Sequence, residues 1–512
     1  NIKLNEFDNI EILSNSSIMK SENIYGLSEF KRSKNVINYN YGTGWSNISY
    51  NYEKKTGNNN LNNTLNSDFG YENFEIKKGF GEIKRSFIEF GYRKKINDSL
   101  IGNNLEKVNY SNIYFIDTQI INNGKSKINI YINQNNFFSR QNNNIEKYLN
   151  TKLIQSQKIL KNMINSDLYF ESNHGNMPQQ EYTFVEVEQG LGSYKWIDLN
   201  ANNIQELEEF EIAAFQDEGR YIRVLLPNQI FVKTYQNKFN YSLRINFSRL
   251  KNSENIIKKA LSNISNQFQY SIDKKSNLEI NPKTEINPFK IDEENLLAYN
   301  YNIKNVFYIN KAKQRHSLIL TYSKSEAKNN FSFGSTKSSL DFKRIKIIHK
   351  IDNIYLFELI GDRETKSSWS ENYNEKNYIL NTEKISPKFT YLAGEFNRIN
   401  FTYKKLKINN SLGNQEFLDQ QQFGLSLFLN QKEKRGFISE FNYYNNEFNG
   451  QTNSVIGYLM MNGLQSGENY TWSFKFQRKL SKLLDINFIY LGRKSNSIRT
   501  IHNGSIQLKA IF

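Results

Sequence analysis

The stretch Asn469–Phe512 reads NYTWSFKFQRKLSKLLDINFIYLGRKSNSIRTIHNGSIQLKAIF. Tyr470, Trp472, Phe474 and Phe476 fall on one face of an extended segment, and Thr471, Ser473, Lys475 and Gln477 on the other. That is period-two alternation, the mark of a two-faced strand. After an SKLL turn, Ile486, Phe488 and Tyr490 alternate with Asn487 and Ile489. A last strand, SIQLKAIF, sets Ile506, Leu508, Ala510 and Phe512 on one side.

In a water-soluble sheet such a face meets a second sheet or a helix. No convincing amphipathic helix is legible, and aromatic-rich strands continue through most of the chain, so the simplest apolar partner is lipid. A closed barrel is the one sheet that suits a bilayer, because closure pairs every edge donor and acceptor. On these residues the chain resembles a bacterial outer-membrane β-barrel. That resemblance implies a final amphipathic strand ending in an aromatic residue, here Phe512, that the barrel-assembly machinery reads; Ile506 and Leu508 match its apolar positions and Ala510 matches less well. The expected fold is all-β, a transmembrane antiparallel β-barrel of roughly 22–24 strands with one acidic inserted loop subdomain.

Composition agrees. Mean hydropathy is −0.69, and no apolar run approaches the roughly 20 residues that a spanning helix needs. A barrel tolerates this polarity, since only alternate residues face lipid. With no cysteine among 512 residues, disulfides, zinc–thiolate sites and thiol nucleophiles are excluded. The chain begins at Asn1 without an apolar leader, which suggests a mature or trimmed protein. The 37 Phe and 32 Tyr against 5 Pro favour many strands with few breaks. A net charge of +16 fits lipopolysaccharide phosphate or a basic lumen, and equally a genome biased towards Lys, Asn, Ile and Tyr. No basic run interleaved with stacking aromatics points to nucleic acid.

Along the chain, NVINYNYGTGWSNISYNY predicts two strands about Gly42–Gly44, EIKKGFGEIKRSFIEFGY two about Gly79–Gly81, and NIYFIDTQIINNGKSKINIYI two about Asn122–Gly124. N-terminal barrel strands are expected over 1–173, an acidic insert over 174–230, and C-terminal barrel strands over 231–512. The C-terminal strands include FNYSLRINF, GFISEFNYY and SVIGYLMMNG. Short turns alternate with long loops, and long loops of such barrels face outward. Carried to the end, that alternation places Phe512 on the outer side, against the family's pattern, so the count is off by one between Lys404 and Tyr458.

Within the insert, DLNANNIQELEE (Asp198–Glu209) fits the twelve-residue calcium loop of EF-hand and dockerin modules. Asp198, Asn200 and Asn202 stand at positions 1, 3 and 5, Ile204 offers a carbonyl at 7, Glu206 stands at 9, and Glu209 at 12. Asn203 replaces the usual Gly at position 6; Asn is the next best residue for positive φ. Gln205 replaces the usual apolar residue at position 8. A structural Ca2+ ion is one expectation; the other is an Asn-rich turn that opens a short acidic helix over Ile204–Ala214. His174, His316, His349 and His502 lie at no ligand spacing, and no nucleophile, base and orienter come together, so no enzyme is expected. Trp45, Trp369 and Trp472 suit interfacial girdles or ordinary packing.

The segment GLGSYKWIDLNANNIQELEEFE, with the C-terminal ending, is similar to large outer-membrane proteins of Bacteroidota without an assigned activity. The resemblance implies a Gram-negative cell-surface barrel among outer-membrane lipids and names no substrate. Three functions stay open: a transport or export channel within a multiprotein envelope complex, a structural or docking barrel for surface lipoproteins, and a TonB-dependent-type transporter barrel whose plug lies outside this chain.

Overall fold

The alternation seen in the sequence becomes one large sheet and one small one. The computed structural model describes every residue except 1, 8, 24–25, 60–67, 102–103, 141–144, 179–180, 199–200, 227–230, 278–286, 291–295, 312–314, 332–333, 372–373, 395, 432–434, 482–483, 497 and 511–512. Phe512 therefore lies outside the described residues. In chain order the first strands are β1 (Ile2–Phe7), β2 (Ile10–Asn23), β3 (Gly26–Tyr41), β4 (Gly44–Asn59), β5 (Phe69–Glu82), β6 (Ser86–Ile101), β7 (Asn104–Asn122), β8 (Ser126–Ser139), β9 (Ile145–Ile159) and β10 (Ile164–Pro178). The acidic insert follows with β11 (Glu181–Glu186), β12 (Tyr194–Trp196), β13 (Phe210–Ile212) and β14 (Tyr221–Leu226). Next come β15 (Phe231–Asn246), the short helix α1 (Ile256–Leu261), β16 (Ile264–Asn277), β17 (Leu296–Ile309), β18 (His316–Phe331), β19 (Gly334–Ile351), β20 (Tyr355–Ser370), β21 (Tyr378–Ala393), β22 (Asn397–Asn410), β23 (Phe417–Gln431) and β24 (Arg435–Asn449). Helix α2 (Val455–Met460), β25 (Gly467–Lys479), β26 (Leu484–Ser495) and β27 (Ile498–Ala510) complete the order.

Among the described residues 23 strands form the large sheet and β11–β14 the small one, within the range expected. The paired neighbours are antiparallel, as in β3 with β4 and β24 with β25. The described ladders join β1 through β10 and β17 through β27, and a β27–β1 pairing that would close a ring is not among them. The chain divides into two units: Asn1–Asn176 with Lys233–Ser242 and Asp273–Asp292, and Met177–Val232 with Leu243–Ile272 and Glu293–Phe512.

In the first unit, register stacks like with like. Ile37 faces Ile48, Ile48 faces Ile76, and Ile76 faces Tyr92; the three isoleucines are exposed. The opposite face carries charge: Arg93 pairs with Glu75, and Glu89 takes Lys77 at 3.4 Å and the Trp45 indole N–H at 2.8 Å. Trp45 therefore serves the polar face rather than an outer girdle. The β5–β6 turn falls at 83–85, beyond the expected Gly79–Gly81. The reason is local: Gly79 lies under the Trp45 ring inside the ladder, where any Cβ would clash.

The second unit segregates its faces in the same way. Phe357, Phe389, Phe401, Leu425, Phe441 and Trp472 stand in one continuous cross-strand register over β20–β25. Phe401 is 53% exposed. On the other face Arg344 grips Asp362 with two bonds of 2.7 and 2.9 Å, and Lys384 joins the same carboxylate. Glu358 is held there by Lys346 at 2.6 Å and Lys388 at 3.4 Å. Each favourable cross-strand pair contributes about 0.2–1 kcal/mol. Over these middle stretches the two faces suit two different surroundings, one apolar and one wet. Many of the strands run 12–18 residues, longer than the roughly 9–11 that cross a bilayer core, so their ends stand clear of it.

SVIGYLMMNG, expected as a strand, is helix α2 with its flanks. The Ser454 hydroxyl accepts the Gly457 amide at 3.0 Å as N-cap, and Asn462 and Gly463 end the turn with φ of 51° and 73°. Removing one strand from the count restores the alternation. The C-terminal end of β27 then lies at the end of the second unit that carries the short β19–β20, β21–β22, β23–β24 and β25–β26 connections.

Candidate functional site

At the opposite end of the second unit, the loops 371–377, 411–416 and 450–466 gather. Residues of β21–β23 that share the wet face supply an apolar floor here: Tyr378, Leu380, Leu406, Ile408 and Leu418. Ile456, Met460 and Met461 of the α2 loop pack down on it. Met460 and Leu418 are fully buried. Each such side chain contributes roughly 1.5–3 kcal/mol by burial.

Amides anchor the same loop. Gln420 donates to Asn446 at 2.8 Å, Asn446 donates to the Gln465 carbonyl at 2.9 Å, and Asn469 donates to that carbonyl at 2.8 Å while accepting the Gln465 amide at 3.0 Å. All three side chains are buried, and buried amides that are paired hold one backbone path. The α2 loop is thus fixed across the wet face of the sheet.

The acidic insert sits on that loop. Its own core is a stack of rings, Phe184 on Phe210 at 4.1 Å with Tyr221 and Tyr194 edge-on. One side of the insert carries Glu211, Asp217 and Glu218, and each meets the loops or β26. Arg493 of β26 binds Asp217 at 2.6 Å and Glu218 at 3.1 Å and lies over the Phe215 ring. The Tyr458 hydroxyl donates to Glu218 at 2.5 Å and accepts the Ala214 amide at 2.7 Å. Lys376 binds Glu211 at 2.6 Å. Lys195 lies 3.8 Å over the Tyr458 ring. Burial, then the bond to Glu218, pushes the Tyr458 phenol up; burial pushes the Lys195 amine down.

Two clefts follow the wet face below this cover. The first, of about 260 Å3, is roofed by Phe215, Gln216 and Asp217 and walled by β24–β27. The second, of about 840 Å3, opens towards the short turns and includes Arg398, Phe428, Asn487 and Gln507. Lys475 lines both. A track of polar side chains therefore leads from under the insert to the short-turn end.

The described calcium-loop residues are held by hydrogen bonds of their own. Asn200 lies outside the described residues. Asp198 accepts the backbone amides of Asn202 and Asn203 at 3.3 and 2.9 Å, and the Asn202 side chain accepts the Ile204 amide and donates to Glu206 at 3.4 Å. Buried Glu209 accepts the Trp196 indole at 2.7 Å and the Glu206 amide at 3.3 Å. Asn203 adopts the expected positive φ, 57°. The alternative helix over Ile204–Ala214 is absent: Leu207–Glu209 make one 3₁₀ turn and Phe210 enters β13. Among the described residues no three of His, Cys, Asp and Glu gather as a metal site.

Strand pairing brings together what linear spacing does not. His316 faces His349 across β18 and β19 with Nδ1 atoms 2.7 Å apart. Arg493, Tyr458 and Lys376, which hold the insert, carried no local signal. The one hint was the contrast of an acidic segment with a basic chain.

No family model matches the chain, and no curated protein matches it. Solved structures similar to it include the ferric enterobactin receptor of Pseudomonas aeruginosa (9% identity, TM-score 0.34, covering 94% of this chain and 74% of that one). The FrpB iron transporter of Neisseria meningitidis has 11% identity and a TM-score of 0.33, covering 98% and 73%. The copper transporter OprC has 8% identity and a TM-score of 0.35, covering 98% and 80%.

Proposed function

We propose that this chain is an outer-membrane β-barrel that passes a solute along its wet face. In this proposal the α2 loop and the acidic insert cover the outer mouth, and the chain works as the channel component of a multiprotein envelope complex. The observation that carries the proposal is the segregation of faces: a row of exposed aromatics on one side of β20–β25, and an ion-pair ladder with a continuous polar track on the other. An apolar exterior suits hydrocarbon, and a charged interior needs water. Conductance of the full chain in planar bilayers tests it. The expected result is a quiet wild-type channel that opens when residues 451–464 are replaced by a short Gly–Ser linker. Absence of current from both proteins would overturn the proposal.

A docking role for surface lipoproteins draws support from the insert itself. Strand β14 meets β12 only at Tyr221, and Ile222, Val224, Leu225 and Leu226 are exposed. An open apolar strand edge is a template for strand addition. Co-purification from mild detergent, with and without residues 181–226, tests this role.

A further inference from the structure

Beside the paired Asp217 and Arg493, the cleft beneath the insert is lined by two charges outside any ion pair among the described residues. Glu440 of β24 and Lys475 of β25 both line it. Register sets Glu440 opposite Ser473 and Lys475 opposite Ile438, so the carboxylate and the ammonium are diagonal neighbours, roughly 7–8 Å apart at the backbone. Among the described residues neither forms an ion pair, with the other or with a third group. Between them the Ser473 hydroxyl is buried and has no hydrogen-bond partner. Lys475 is exposed and Glu440 half-buried, so both stand open to ligand groups of opposite charge.

We propose that this cleft is a binding site for a small zwitterion, a free amino acid or a dipeptide. The ligand's ammonium meets Glu440 and its carboxylate meets Lys475. Size agrees with the chemistry. The cleft, at about 260 Å3, falls just below the range of about 300–1,000 Å3 typical of drug-sized ligands. An extended dipeptide spans about 7 Å, close to the backbone spacing of the two residues. The roof comes from the insert through Gln216 and Asp217, so a bound solute also touches the cover of the track. Lys475 faces the larger cleft as well and stands where the solute would leave.

The inference rests on the wet-track reading of the proposed function, and calorimetry on the detergent-solubilised full chain separates the two. Glycylglycine is the probe, with N-acetylglycinamide and glucose as neutral controls. Saturable heat is expected with glycylglycine and not with the controls. Glu440→Gln and Lys475→Met are each expected to weaken binding at least tenfold, with heat-modifiable migration on gels unchanged. No saturable heat with glycylglycine, equal binding of N-acetylglycinamide, or wild-type affinity in both charge variants would overturn the inference. A protein that conducts after replacement of 451–464 but binds no zwitterion refutes this site alone, whereas binding without conductance refutes the channel.

Discussion

The α2 loop and the acidic insert lie one on the other at the same mouth, yet they are held by different forces. The loop is held by apolar burial and by amides that water does not reach; the insert is held by Arg493, Lys376 and Tyr458, which are partly solvated. Apolar contacts and buried amides are insensitive to salt, while partly exposed ion pairs weaken with it. Within the proposed function, this difference makes the loop a fixed seal and the insert a releasable cover. Placing a charge in the seal breaks this contrast most strongly. Met460→Asp puts an unpaired carboxylate among Leu406, Ile408 and Leu418, at a cost of several kcal/mol. Leu418→Ala in the same cluster is expected to cost about 2–5 kcal/mol. Both should expose 451–464 to limited proteolysis, and the aspartate variant should conduct in bilayers without any deletion. Protection equal to wild type in both variants would show that the loop is not the seal.

The cover should respond to smaller changes. Arg493→Ala leaves Asp217 without its cation and Glu218 with Lys195 at 3.8 Å, at a cost of about 1–2 kcal/mol for a partly exposed pair. Cleavage within 181–226 should then rise about tenfold. Salt at 0.5 M or so should raise it in wild type by less and in the variant by less still, because there it screens the pairs of Lys376 and Lys195 and no longer those of Arg493. Tyr458→Phe removes two hydrogen bonds and is expected to cost about 1 kcal/mol. It also bears on pH. The folded pKa of Tyr458 lies above its usual value, so its contribution is complete below pH about 10 and fades as pH rises through the folded value. Lys195, whose folded pKa is lowered, has the opposite sign, since its buried charge is a burden that alkaline pH removes. Alkaline release of the insert in wild type, absent in Tyr458→Phe, would assign the effect to the phenol.

The strands were legible because period-two alternation is a property of each strand alone. Phe87, Glu89 and Gly91 against Ile88, Phe90 and Tyr92 could be sorted without knowing what β6 pairs with. The α2 segment was not legible, since ten apolar-rich residues fit a strand as well as a short helix. What settles it is Ser454 as N-cap and a floor supplied by Leu380, Ile408 and Leu418 from strands up to 74 residues earlier in the chain. The clamp was hidden for the same reason. Arg493 and Asp217 are 276 positions apart, and nothing near either residue announces the other. Trp45 illustrates a subtler limit: its place at a strand start suggested a girdle, but the carboxylate that claims its indole, Glu89, lies two strands away.

The smallest expected effect concerns Asp198–Glu209. The sequence pattern predicts that calcium stiffens the insert, and the hydrogen bonds there set how far it can. Both Asp198 oxygens already accept backbone amides, and Glu209 already accepts the Trp196 indole. A calcium ion must compete with those donors, and ligand-linked stabilisation grows only as the logarithm of concentration over affinity. Proposed here is a weak structural site of millimolar affinity, like those of extracellular calcium modules. At ten times that affinity, calcium adds about 1.4 kcal/mol to the insert, enough to slow cleavage within 181–226 about tenfold relative to chelator. Asp198→Ala should abolish that difference while leaving the clamp at Arg493 intact. Glu209→Gln should loosen the insert even in chelator, because the acceptor held by Trp196 is weakened with or without the ion. Identical cleavage in calcium and chelator, with Glu209→Gln still loosening the insert, would show that the acidic loop is closed by its own amides and needs no metal.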